Sequence, residues 1–157
     1  MSRKSMPFTG LVIGMVLLVF IVTVFMLIKG AWLSPDKVAV TVVEEFYQYE
    51  QEGEFASSWE LFHSTMKKKF SSKGSYIQDR AHVFMNHFGV ETFDYTVSEP
   101  EKIDQWKMSK TEHAMKNVYK ILVTQTYKGK YGNFNLEQEV FVVKEKDVWK
   151  IVWDYNQ

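Results

Sequence analysis

Ser64-Thr65-Met66-Lys67 has the S-x-x-K spacing, in which a lysine one helical turn along can take the proton of a serine nucleophile. The companion motifs of that chemistry, S-D-N and K-T-G, occur nowhere downstream. A polar helix face turned to solvent accounts for the four residues without chemistry. His82 and His87 are five apart, which on a helix puts them on different faces, unlike the i, i+4 pair that shares one metal ion. His63 and His113 stand alone in the chain. Asp94, Asp104 and several tyrosines are of types that acid–base chemistry uses, but none occupies a motif. No catalytic residue, metal ligand or cofactor contact is therefore assigned, and the chain reads as a non-enzyme that needs no cofactor. The aromatic residues leave a different possibility. Trp59, Trp106, Trp149 and Trp153 with Tyr49, Tyr119 and Tyr127 exceed what a small core requires, and of these Tyr49, Trp59, Trp106 and Tyr119, with His63 beside the apolar stripe, are the first candidates for lining a pocket, with core packing as the default for each.

Three helices and a set of strands must position these side chains. Ser34-Pro35-Asp36 supplies a capping serine, a proline at the first helical position and an acid in the first turn, and Val38, Val42, Phe46 and Tyr49 follow at helical spacing up to Gly53. Phe55, Trp59, Phe62 and Met66 mark a second amphipathic helix, fraying near Phe70. After the turn at Ser71-Ser72-Lys73-Gly74, the stripe Ile77, Ala81, Phe84, Met85 and Phe88 predicts a third, ended by Gly89. The pattern then changes to period two and to β-branched and aromatic residues. Strands are expected over Phe93–Val97, Ile103–Met108, Val118–Tyr127, Phe134–Lys144 and Val148–Tyr155. The short connections between the last three require antiparallel neighbours. Helices on one side of an antiparallel sheet make α+β architecture. Val118, Leu122, Val140 and Val142 alternate with polar neighbours in a way that could build an outer docking face.

Ahead of this domain, Phe8 to Ile28 is an uncharged, apolar run, about 31 Å long as a helix and so of bilayer thickness. It predicts a single-pass transmembrane anchor over 8–30, behind a short cytoplasmic tail over 1–7 carrying Arg3 and Lys4, with the domain over 34–157 outside. A cleaved signal peptide is the competing reading. Its apolar core would be shorter and would end in a small-residue site, which Lys29-Gly-Ala-Trp-Leu33 lacks. Gly10 and Gly14 form a G-x-x-x-G, read as ordinary membrane-helix glycine.

Beyond Lys29 stand 16 basic against 19 acidic residues, so the domain is mildly acidic and a poor partner for nucleic acid or an anionic lipid surface. Lys67-Lys68-Lys69 reads as a solvated helix end. Cysteine is absent, and about 120 residues with 12 Phe, 8 Tyr and 5 Trp in the whole chain suffice for one packed domain without disulfides.

Three helices followed by a meander closing on Val140 to Tyr155, "VFVVKEKDVWKIVWDY", resemble the cone-shaped domains of the nuclear transport factor 2-like, or cystatin-like, superfamily. The resemblance covers residues 35 to 157. It departs at the last hairpin, where Lys146-Asp147 stands in place of the family's common Asp-Gly, leaving the turn type open. It implies three helices packed on a curved antiparallel sheet. The layout is similar to the membrane-anchored, non-catalytic domains of Gram-positive envelope proteins, some penicillin-binding proteins and conjugation assembly proteins among them. That similarity implies a cell-envelope scaffold or binding module that engages an envelope protein or its own copy. The alternative is a binder of a small apolar ligand, or an isomerase- or dehydratase-like enzyme using the cone pocket.

Overall fold

A computed structural model describes residues 14–23, 34–82, 92–129 and 132–154. The chain divides into two compact units, Met1–Ser34 and Pro35–Gln157. In the first, helix is described over 14–23. The anchor expected over 8–30 is accordingly corrected: among the described residues no helix is long and apolar enough to cross a membrane. Nothing then supports the single-pass placement, with its cytoplasmic N-terminus and its extracytoplasmic domain. The physical reason is that an apolar run states only what would be stable in lipid, whereas a span also needs some 20 continuous helical residues. The rest of that expectation, at 8–13 and 24–30, lies outside the described residues.

The second unit begins with α1 (Pro35–Gln51), where the proline stands at the first helical position as its spacing predicts. Its end is a Schellman motif: Gly53 takes φ 76°, the Glu54 N–H donates to Tyr49 O at 2.8 Å and the Gly53 N–H donates to Glu50 O at 3.3 Å. The second expected helix is split into α2 (Phe55–Leu61) and α3 (Ser64–Lys67). Phe62 and His63 are extended because they join the sheet edge: Phe62 bridges Ile151, and the His63 N–H donates to Ile151 O at 2.9 Å. A pairing between residues distant in the chain has overridden a local helical stripe. α4 (Lys73–His82) starts at a reciprocal box in which the Ser72 and Ser75 hydroxyls each accept the other's backbone N–H at 3.0 Å. The further stripe at Phe84, Met85 and Phe88 lies outside the described residues.

Five strands follow: β1 (Phe93–Val97), β2 (Glu101–Trp106), β3 (Met115–Gly129), β4 (Gly132–Glu145) and β5 (Val148–Trp153). All pairings are antiparallel, and the arrangement is mixed α+β. β3 is the central strand. One edge carries β1 along its second half and β2 along its first, the change falling at Ser98-Glu99-Pro100, where proline offers no N–H to continue a ladder. The other edge carries β4, which in turn pairs with β5. Lys146 and Asp147 in the last hairpin have φ 50° and 66°, the left-handed pair of a type I′ turn.

The helices bury Ala39, Val43, Phe46, Tyr47, Trp59, Met66 and Tyr76 with the Ile121, Val123, Val140, Val142, Ile151 and Trp153 side of the sheet. Phe62 is central, its ring 5.0 Å from Phe46, 5.4 Å from Tyr76 and 4.8 Å from Trp153. The opposite side is also covered, since Trp106 stacks on Phe141 at 3.9 Å, and Val118 and Val152 are buried. That explains the continuous burial of Val140-Phe-Val-Val143: a strand packed on both faces is apolar without alternation. It also corrects the docking face expected from Val118, Leu122, Val140 and Val142, of which only Leu122 is exposed.

Candidate functional site

One cleft lies at the end of the sheet nearest the start of α1. At Asn117, β3 takes a left-handed turn of backbone, φ 53°. Its pairing with β4 begins only at Tyr119, opposite Val142. Before that point the two strands separate, while β2 stays on β3 and β5 stays on β4. Between them is a space of about 280 Å³ lined by Pro35, Lys102, Lys116, Asn117, Tyr119, Lys144 and Trp149. Lys102 stands opposite Tyr119, and Lys144 opposite Trp149. The Trp149 ring meets Tyr119 edge-on at 5.5 Å, and the Lys144 ammonium sits 5.2 Å from the Trp149 centroid as a cation–π contact.

The electrostatics of this lining are one-sided. It holds three lysines and no Asp, Glu or His. Among the described residues Lys102, Lys116 and Lys144 have no acidic partner within 4.0 Å, as is true of Lys37, Lys68, Lys107, Lys110 and Lys146 outside the cleft, whereas Lys67, Lys69, Lys73, Lys120 and Lys128 each hold one. Chemically, such a lining can hold an anion against an aromatic floor. It offers no acid–base pair to move a proton.

A second polar cluster is buried between the helices. Glu50, 2% exposed, accepts hydrogen bonds from the Ser58 and Tyr76 hydroxyls on one carboxylate oxygen and from Arg80 Nε at 2.6 Å on the other. Burial, reinforced by the Glu50 charge, raises the Tyr76 pKa well above its ordinary value, so the phenol stays a donor. Burial likewise pushes Tyr127 up to about 12, and its hydroxyl donates to Gln125 Oε1 at 2.6 Å. Tyr47 donates to Gln138 Oε1 at 2.8 Å. Every oxygen of the Glu50 carboxylate is thus engaged by a side chain of the fold, which makes this a clamp joining α1, α2 and α4.

The five residues expected to line a pocket do not converge. Only Tyr119 reaches the cleft. Trp59 is locked among Phe62, Phe70 and Tyr76, and Trp106 lies on the other side of the sheet against Phe141. Tyr49 donates to Glu45 one turn back, at 3.3 Å. His63 is the N-cap of α3, accepting the Thr65 N–H on Nδ1 at 3.1 Å with Nε2 3.7 Å from Glu145. Ser64 and Lys67 are likewise structural: the Ser64 N–H donates to Glu145 and the Lys67 ammonium pairs with Glu60. Asp94 pairs with Lys128 at 3.2 Å. Among the described residues no three His, Asp or Glu side chains group as a metal site.

Reading the residues alone named Tyr119 and Trp149 among the aromatics that could line a pocket but missed Pro35, Lys102, Lys116, Asn117 and Lys144. An asparagine inside a β-branched run was the available local signal, because Asn disfavours strands and tolerates left-handed backbone. The three lysines carry no signal of their own, since their convergence depends on the register of four strands.

No protein-family model matches the chain, and no curated protein does. Among solved structures the chain is similar to Bd1075 of Bdellovibrio bacteriovorus, at 14% identity and a TM-score of 0.46 over 70% of this chain. It spans 36% of the length of that protein.

Proposed function

We propose that Pro35–Gln157 is a non-catalytic binding module of the nuclear transport factor 2-like kind, engaging another protein through the cleft between β3 and β4. The observation that carries this reading is the lining itself: three lysines without acidic partners around Tyr119 and Trp149, with no acid or base among them. The family resemblance draws support from the order of elements, helices first and then a meander ending in the strand that carries Trp149, Ile151 and Trp153. The alternative, a small apolar ligand held inside the domain, is not favoured by the interior, where Phe46, Phe62, Tyr76 and Trp153 fill the space between helices and sheet. A scaffold needs a rigid surface with unsatisfied charge more than it needs a deep cavity.

The test is a photo-crosslinking amino acid placed at position 149, with position 122, an exposed residue on the opposite side of the sheet, as the control. In cells that make the full chain, the module reading expects a discrete protein adduct from position 149 that is missing from position 122. Adducts equal at both positions, or none at 149, would sink it.

A further inference from the structure

We propose that the cleft recognises an acidic segment of another protein in extended conformation, its carboxylates reaching Lys102, Lys116 and Lys144 and an apolar side chain lying on Trp149. This rests on the binding-module reading and adds the chemistry of the partner. Charge selects the partner's sign: in a domain with more acids than bases, three cations lacking acidic partners gather at one place. The net excess of acids over bases in the domain disfavours a long polyanion such as nucleic acid, while a short acidic stretch feels chiefly the local lysines within a Debye length of about 8 to 10 Å.

The mixed lining favours an acidic peptide over a bare anion. Lys102 lies on β2 and Lys144 on β4, on either side of β3, with Lys144 two residues beyond Val142, which is in line with Lys102 through Tyr119. A bare phosphate would gain nothing from the apolar faces of Trp149 and Tyr119 that lie among these lysines, whereas an acidic peptide carrying an apolar side chain uses both. The same separation of β3 from β4 leaves Lys116 exposed and unpaired on the β4 side among the described residues, with the left-handed Asn117 beside it, so that a short length of backbone faces an incoming extended segment.

The test titrates the full chain with an acetylated, amidated pentapeptide, Glu-Phe-Glu-Leu-Glu, following backbone and indole NMR signals, alongside its Gln-for-Glu counterpart and inorganic phosphate. Saturable binding of the Glu peptide is expected, shifting Asn117, Tyr119 and Trp149, and weakened at least about tenfold both by 0.3 M salt and by Lys102→Glu with Lys144→Glu. Lys110→Glu, outside the cleft, leaves it unchanged, and a Lys-for-Glu peptide regains affinity for the double variant. Equal binding of the Gln peptide, saturation by phosphate alone, or affinity indifferent to the double variant overturns the proposal. Sedimentation showing self-association broken by the same variant also overturns it, by assigning the acidic segment to a second copy. If position 149 yields its specific adduct while the Glu peptide fails to bind, the acidic chemistry is wrong and the binding module stands; if both fail, both readings fall.

Discussion

Asn117, Lys146 and Asp147 hold left-handed backbone at φ 53°, 50° and 66°, a region that costs an ordinary L-residue about 1–2 kcal/mol. At the hairpin the strain serves only the turn, because a type I′ loop suits the twist of the flanking strands and demands positive φ at both positions. Replacing Lys146-Asp147 by Asn-Gly should therefore stabilise the domain by roughly 1 kcal/mol, read as a higher urea midpoint with an unchanged slope. At Asn117 the strain opens the cleft. Asn117→Gly should keep the stability to within about 1 kcal/mol, whereas Asn117→Val should lose about 1–3 kcal/mol, because a β-branched side chain is least tolerant of that backbone. Equal midpoints for the two variants would mean that the left-handed turn at 117 carries no strain.

His63 shows what an element junction adds. Its Nδ1 accepts the first free N–H of α3, so that nitrogen must be unprotonated, and burial accordingly moves its pKa below the ordinary histidine value. Glu145 across the junction opposes that shift without reversing it; its own pKa is subject to burial, which raises it, but the hydrogen bond from Ser64 and the His63 charge leave it lowered. The folded form thus binds the His63 proton less readily than the unfolded chain does. Stability from this residue is present above about pH 6.5 and lost as the pH falls through the lowered folded value. Urea midpoints measured between pH 7.5 and 5 should decline for the native chain and decline less for His63→Asn, whose amide oxygen can still cap α3. Identical pH slopes would remove His63 from the account. The same junction explains why Phe55 to Met66 is two helices: the stripe is helical, but a strand edge at Ile151 offers the Phe62–His63 backbone a better partner.

Over the whole molecule, the clamp at Glu50 ties three helices together beneath the sheet. Removing one partner leaves a buried charge uncompensated, and Arg80→Ala should cost about 3–5 kcal/mol, while the pair Glu50→Leu with Arg80→Met should cost less than either single change. A thermal-melt double-mutant cycle measures this, and additive losses would show that the two charges are not coupled. The sheet is a second whole-molecule device. Because Phe141 is covered by Trp106 on one side and Val142 by the helices on the other, β4 is a core strand at its β5 end, and its far end, with Leu136 49% exposed, is not.

Local pattern determined the order of elements. The proline and acid that open α1, the glycine that closes it, and the strand runs at Phe93–Val97 and Val148–Trp153 all depend on neighbours a few residues away, and such signals survive in one dimension. The anchor was the exception: an apolar run reports preference for lipid, and among the described residues no helix is long and apolar enough to cross a membrane. Tertiary structure alone decided which side of the sheet Trp106 covers, that Glu50 would be buried with Arg80, and that lysines at 102, 116 and 144 would share a cleft. Each joins residues far apart in the chain through strand register, and a shift of one residue in register turns every side chain to the opposite face.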